Sequence, residues 1–99
     1  MKKVEVVKIP VVVTTKVPMV VFGYIDPGER DKEIVRVERA RMCVYWSQQT
    51  HGVFGLAANG PVAGCRIGPE VPGVTLSGVT CVIECSAVAV DTWGKDQWS

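Results

Sequence analysis

Residues 19–25, MVVFGYI, form the stretch that decides the fold. Aliphatic and aromatic residues follow one another here, and such residues favour β-strands. Gly23 interrupts the run, so it predicts either a β-bulge or a point where another part of the backbone comes close. The polar segment 26–32, DPGERDK, predicts a hairpin connection, because Pro27 and Gly28 supply the fixed and the permissive backbone angles that turns need.

Strand-like patterns continue on both sides of this stretch. They occupy residues 4–14, 33–39, 42–46 and 75–85. The first segment predicts a pair of strands or one strand broken at Pro10, because proline cannot donate to a β-ladder. Residues 33–39 alternate between apolar and polar side chains, which predicts a half-buried strand with one wet face. The last segment predicts a single strand with an internal glycine at Gly78.

Helical signals are fewer and shorter. Residues 53–58 predict one or two helical turns that end at Asn59-Gly60-Pro61, and Ser86 is a suitable N-cap for a short helix through Trp93. Residues 65–67 predict a short extended segment. The sequence therefore predicts a single, mainly β domain over residues 1–99, α+β at the margin. We expect a small twisted antiparallel sheet or a partly closed barrel with one or two short helices.

Composition and charge limit the possible functions. The 99 residues are 47% hydrophobic and carry a net charge of +1. The high apolar content either fills the core of a monomer or is buried between subunits, and both remain open. The interspersed charges give no footprint for bulk nucleic acid and no basic membrane patch. The apolar runs are shorter than the ~20 residues that span a bilayer, so we expect a soluble, cytoplasmic protein that does not bind membranes.

The residues that usually carry catalysis or metal binding occur without their partners. The four cysteines match neither a zinc motif nor a disulfide framework and are predicted to be reduced and buried, with Cys81 and Cys85 on one strand face. His51 is the only histidine, and Glu84 and Asp91 are isolated carboxylates. A nuclease or phosphodiesterase would require His51 to meet a distant carboxylate. We therefore expect no enzyme activity, no metal and no cofactor.

Residues 39–67 carry most of the polar and aromatic groups that suit a ligand. Arg39 and Arg41 are two apart and would share a strand face, and Arg66 would approach them if residues 65–67 pair with that strand. Three guanidinium groups would then make a phosphate clamp. The candidate ligand-binding residues are Arg39, Arg41, Tyr45, Trp46, Gln48, His51, Asn59 and Arg66, of which the amides and the histidine would supply polar contacts.

The pair Tyr45-Trp46 divides this region between two surfaces. Adjacent residues of a strand point to opposite faces, so one ring enters the core and the other meets solvent, a ligand or a partner. Packing of both rings in core and interface is the simpler alternative. The whole segment therefore cannot line one pocket of one subunit unless the chain bends. Either part of it is core or a neighbouring subunit completes the site; we expect the neighbour, which predicts a homo-oligomer. Trp93 and Trp98 are expected to anchor the C-terminal segment on the sheet or on that neighbour.

From Arg39 onward the chain resembles a group of small, uncharacterised proteins of bacteriophages and prophages. The matching features are Ala40-Arg41, Tyr45-Trp46, residues 56–60, Cys65-Arg66, the strand-like residues 79–83 and Trp98. The chain departs from the pattern at Val44, where the group often has a further aromatic residue. The resemblance implies a phage-borne protein that acts in the cytoplasm of the infected bacterium.

Two hypotheses about function follow from this resemblance and from the residue cluster. Small phage proteins of this kind include counter-defence sponges, which are homo-oligomers that sequester cyclic nucleotide or cyclic ADP-ribose immune signals. A sponge of this type is a non-catalytic binder of a small nucleotide-type ligand, and it predicts a concave pocket where at least two of the candidate groups converge. The alternative is a structural or protein-interaction accessory protein without a small ligand, which predicts a flat, packed interface.

Overall fold

A computed structural model of the chain describes residues 8–17, 19–46, 50–62 and 64–94, and within them it contains one six-stranded sheet. The elements are β1 (Ile9–Thr15), β2 (Val20–Ile25), β3 (Val35–Tyr45), α1 (Gly52–Ala58), β4 (Arg66–Ile67), β5 (Val71–Leu76), β6 (Val79–Glu84) and α2 (Ala87–Trp93), with a 3-10 turn at Pro27–Glu29. All strand pairs are antiparallel. The predicted fold class is therefore confirmed: a mainly β sheet, not closed, with two short helices.

The strand order curls the sheet towards a barrel. The sheet runs β4-β3-β2-β1-β6, and β5 pairs with β3 beside β4. Strands β5 and β6 thus lie at opposite edges, although only Ser77 and Gly78 connect them. Gly78 has a φ of +66°, a backbone angle that glycine adopts without strain. Because so short a connection spans little distance, the two edges must come near each other, and the Val79 N–H donates to the Glu33 carbonyl at 3.0 Å.

Alternating side chains supply a core on each face of this curled sheet. The helix-side core lies under α1 and α2 and consists of Val12, Val20, Phe22, Cys43, Leu56, Ala57, Ile67, Ala89 and Trp93. The inner core lies on the concave face and consists of Val11, Val13, Val21, Ile25, Val35, Val37, Ala40 and Leu76. In β1, Val12 thus points to the helices while its two neighbours point inward. This two-sided burial follows from the period of two along a strand.

Gly23 stands at a β-bulge, as its position in the sequence predicts. Tyr24 pairs with Glu38 but Phe22 pairs with Arg41, so β3 has an extra residue here, and Arg39 has a φ of +49°. A Cβ atom at Gly23 would lie 2.2 Å from Cγ1 of Val37. The close approach therefore requires glycine.

Three predicted strand boundaries are wrong. Pro10 does not break β1: it pairs with Tyr24, and its carbonyl accepts a hydrogen bond from the Cys85 N–H. The two strands predicted at 33–39 and 42–46 are one strand, β3. It contains a bulge with one extra residue, and its pairing with β2 continues on both sides of the bulge. The single strand predicted at 75–85 is two strands, β5 and β6, which pair with different neighbours.

The helices and the short extended segment agree with the predictions. Helix α1 ends before Asn59, and β4 provides the extended segment next to β3. Helix α2 begins after Ser86, whose side-chain oxygen accepts a hydrogen bond from the Ala89 N–H at 3.1 Å. Gln48, Trp98 and the first residues of the segment 4–14 lie outside the described residues.

Candidate binding surfaces

Arg41 is buried and bound to the protein's own main chain. It pairs with Phe22 across β2 and β3, which places its side chain under the helix layer. Its Nε donates to the Gly68 carbonyl and its Nη1 to the Trp93 carbonyl, both at 3.0 Å. The second carbonyl belongs to the last turn of α2, where a cation also suits the helix dipole. The guanidinium thus joins β3, the connection after β4 and α2.

Arg39 is exposed and stacks on a different aromatic residue from those predicted. Its guanidinium carbon lies 4.1 Å from the centre of the Tyr24 ring, which is a cation–π contact. Both arginines thus reach the helix side of the sheet, but only Arg39 is open to solvent. Tyr45 lies six residues further along the same strand, roughly 20 Å away at the usual rise of a strand. Arg39 is therefore remote from the Tyr45-Trp46 pair.

Tyr45 and Arg66 are brought together. They are partners in the register of β3 and β4, so the pairing on which the approach of Arg66 depended is present, but it brings Arg66 to Tyr45 and not to Arg39 or Arg41. Both side chains are exposed, that of Tyr45 to 56%. Trp46, in contrast, is half-buried and packs against the helix-side core. The sequence pair Tyr45-Trp46 thus supplies one surface ring and one packing ring.

His51 and Asn59 flank α1 at its two ends. His51 precedes the helix in a left-handed conformation with a φ of +65° and is exposed. Asn59 follows the helix, is exposed, and donates its main-chain N–H to the carbonyls of Gly55 and Leu56. Seven helical residues separate them, about 10 Å at the rise of an α-helix. His51 and Asn59 are thus not neighbours, whereas Tyr45 and Arg66 are partners in the sheet register.

A groove that the sequence analysis missed opens on the inner face of the sheet. We call it the apolar groove; its main lining residues are Met19, Val21, Met42, Val44, Val71 and Leu76. Its volume is about 330 Å³, roughly twice that of the ~150 Å³ apolar cavity that takes up benzene in an engineered protein. Its rim carries partly exposed aliphatic side chains, with Val44 exposed to 63%. A signal was present: Met42 and Val44 are apolar although the other face of β3 already contributes Cys43 to the core.

A second hollow extends the apolar groove beneath the β1–β2 hairpin. Val17 and Met19 form one side and Val74 and Leu76 the other, around a volume of about 330 Å³. Val17 is exposed to 74%. The candidate residues Arg39, Arg66, His51 and Asn59 line neither the apolar groove nor this hollow. Trp46 lines a further hollow of about 500 Å³ together with Met19, Met42 and Val44, so only the polar candidate residues are separate from this concave surface.

The cysteines are free thiols in different environments. Cys43 is buried, and burial raises the pKa of its thiol to about 12; burial also raises the pKa of the half-buried Cys85 to about 12. Both therefore stay protonated at neutral pH. Cys81 is exposed, so the prediction that it is buried with Cys85 is wrong: it lies on β6, an edge strand of the sheet.

Metal and membrane signals are absent from the part of the chain that the structure describes. Among those residues there is no group of three His, Cys, Asp or Glu side chains that could hold a metal ion. No described helix is long and apolar enough to cross a membrane.

The fold and its surfaces define a small β-rich domain with a concave apolar groove on one face and two helices on the other. A family model for a domain of unknown function (DUF6948) matches residues 8–93, and the chain belongs to this family. The match extends over every strand and both helices described above. No curated protein and no solved structure matches the chain.

Proposed function

We propose that this protein is a non-catalytic interaction protein whose apolar groove binds an apolar segment of a partner protein. The observation that carries the proposal is the aliphatic rim of the groove, where Met42, Val44 and Val71 are all exposed. Burying an aliphatic side chain completely contributes about 1.5–3 kcal/mol. Several such side chains around one concavity form a surface that binding to a partner would stabilise.

The chemistry of the groove favours a protein segment over a nucleotide. Its lining residues are aliphatic side chains, methionines, proline and glycine, without a charged side chain. A phosphate placed there would lose its water without gaining a cation, which is strongly unfavourable. Arg41, which lies between the groove residues Ala40 and Met42 in the sequence, binds two carbonyls on the other side of the sheet.

The resemblance to small phage and prophage proteins supports a role for this protein during phage infection. In that setting the protein acts in the cytoplasm of an infected bacterium, as a structural accessory of the phage or as an inhibitor of a host protein. Either role requires a binding surface and no chemical step.

Val44→Glu is expected to abolish partner binding and to leave the protein folded. The side chain of Val44 is already mostly exposed, so a carboxylate at this position stays in water in the free protein. In the complex the carboxylate would be buried without a compensating cation, which is strongly unfavourable. Phe54→Glu is the matched control, because Phe54 is 71% exposed on α1, away from the groove. Affinity purification from phage-infected cells with quantitative mass spectrometry would compare the two.

We expect that the wild type and the Phe54 variant retain the same proteins in equal amounts, and that the Val44 variant loses these proteins. Equal retention by the wild type and both variants would contradict it. If both variants lose the bound proteins, binding would depend on exposed apolar side chains at any position and not on the groove.

A second candidate function rests on the exposed neighbours Tyr45 and Arg66. An aromatic ring beside a guanidinium can stack on a base and meet a phosphate, so this pair supports a small nucleotide-type ligand, such as a cyclic nucleotide or cyclic ADP-ribose signal. The pair lies on an exposed strand surface rather than in the groove, so a neighbouring subunit in a homo-oligomer would have to enclose the ligand.

Tyr45→Ala is expected to weaken such a ligand at least tenfold, because stacking of a base on an aromatic ring contributes about 1–3 kcal/mol. Thermal shift and calorimetry with cyclic dinucleotides and ADP-ribose derivatives would measure this, with Lys32→Ala as an exposed control. Absence of a wild-type response to the whole panel, or equal binding by the Tyr45 variant, would exclude this second function.

A further inference from the structure

We infer that the occupant of the apolar groove is a second copy of this chain, bound about a two-fold axis so that Lys16 of each copy meets Glu70 of the other. The inference rests on the proposed function, because it names the partner that the groove receives.

The groove and its extension lie between a cation and a carboxylate. Lys16 lies beside the turn between β5 and β6, because its main-chain N–H donates to the Gly78 carbonyl at 2.9 Å. Glu70 immediately precedes β5 at the other end of that strand. Six strand residues separate the two ends, roughly 20 Å at the usual rise. Both side chains are exposed, so each is accessible to a partner.

These two charges are complementary under a two-fold rotation. Among the described residues neither side chain takes part in an ion pair. A two-fold axis through the middle of the groove exchanges its ends, so each lysine would face a carboxylate of the other copy, and the contact occurs twice. Such an interface uses the same surface on both copies and closes at two subunits.

The rim of the groove is also complementary to itself. Val17 and Val44 project into solvent next to a concavity of about 330 Å³. In the two-fold arrangement these side chains of one copy enter the groove of the other. Both surfaces are apolar, so the contact removes aliphatic area from water on each side.

Pro72 disfavours a dimer in which the β5 strands of two copies pair with each other. A proline has no N–H to donate, and its presence in an edge strand blunts pairing with another chain. The copies should therefore meet through the side chains of the groove and not by joining their β5 strands into one sheet.

Sedimentation of purified wild-type and variant proteins tests the inference. The wild type is expected at twice the chain mass of 10.7 kDa. Glu70→Lys and Lys16→Glu each replace two attractions by two repulsions and are expected to weaken the dimer about tenfold or more. The double variant K16E/E70K restores the attraction with exchanged signs and should recover wild-type dimerisation. Asp91→Lys, on the exposed surface of α2, is the control and should dimerise normally.

The inference would be overturned by a wild-type monomer at every concentration, by single charge variants that dimerise like the control, or by a double variant as weak as the single ones. Thermal unfolding of each variant ensures that a monomer is a folded monomer. A monomeric wild type whose other protein partners depend on Val44 would overturn self-association and leave the proposed function intact. A wild-type dimer that Val44→Glu does not dissociate would place the interface elsewhere.

Discussion

Replacing Trp93 by alanine is expected to lower the free energy of unfolding by about 4 kcal/mol. The indole is completely buried in the helix-side core. It stacks on Phe22 with ring centres 4.8 Å apart and planes 6° from parallel, and its Nε1–H donates to the Leu56 carbonyl at 3.1 Å. The substitution would therefore remove a large apolar ring and one buried hydrogen bond to the Leu56 carbonyl, which would keep its bond from the Gly60 N–H.

Two companion variants separate these contributions. Trp93→Phe keeps an aromatic ring against Phe22 but loses the indole donor, so we expect a loss of about 1–2 kcal/mol. Val88→Ala changes an exposed residue of the same helix and should cost less than about 0.5 kcal/mol. Urea denaturation followed by tryptophan-independent circular dichroism would measure all three. A Trp93→Ala loss no larger than that of Val88→Ala would show that α2 contributes little to stability.

Trp93 also explains how two very short helices stay on the sheet. The ring comes from α2, the carbonyl it binds comes from α1, and the ring it stacks on comes from β2. Seven-residue helices are marginal alone, so tertiary contacts such as these must hold them. The expectation that Trp93 anchors the C-terminal segment on the sheet is confirmed by this packing.

The sequence predicted those features whose causes are local. Gly23 in an apolar strand indicated a bulge or close approach, and both occur because the extra residue of β3 sits over it. Ser86 indicated a helix start because its side chain can accept a hydrogen bond from an N–H of the first turn. The period of two indicated a mainly β fold, since strands with two buried faces supply both cores.

Features that depend on distant partners could not be predicted. The bulge at Arg39 keeps β3 continuous, but the break in alternation looked like a boundary between two strands. Ser77-Gly78 lies inside the strand-like segment 75–85, and only the pairing of β5 with β3 and of β6 with β1 reveals that this segment belongs to two strands. Periodicity along one segment carries no information about which neighbour each half finds.

The same distinction between local causes and distant partners applies to the candidate site. The sequence analysis considered a pairing of residues 65–67 with the strand of Arg39 and Arg41; β4 does pair with β3, but the register that makes Tyr45 the partner of Arg66 was not predicted. The burial of Arg41 depends on carbonyls 27 and 52 residues away along the chain, so no local pattern indicates it. The apolar groove likewise combines residues from the three strands β2, β3 and β5 with Met19 before β2 and the segment before β5. Its components each looked like ordinary core residues.

Arg41→Met is expected to lower the free energy of unfolding by about 3 kcal/mol, because it removes charged hydrogen bonds to two carbonyls, each worth about 1.5–3 kcal/mol. Methionine keeps much of the length of the side chain, so lost packing is small. The Gly68 and Trp93 carbonyls would remain near the core without these donors. We expect the last turn of α2 to loosen first, because the guanidinium joins that turn to the connection after β4.

Arg39→Met is the matched control, since it changes the same residue type two positions away on the same strand. Arg39 is exposed and contacts the face of Tyr24, so its replacement should cost about 0.5–1 kcal/mol, the range of an exposed cation–π contact. Chemical denaturation gives both values, and hydrogen exchange of the α2 amides reports the local effect. Equal losses for the two variants would contradict a structural role for Arg41. A large loss for Arg41→Met alone would mean that any ligand effect of this variant reflects the fold, so that Tyr45 and Arg66 are the residues with which to test nucleotide binding.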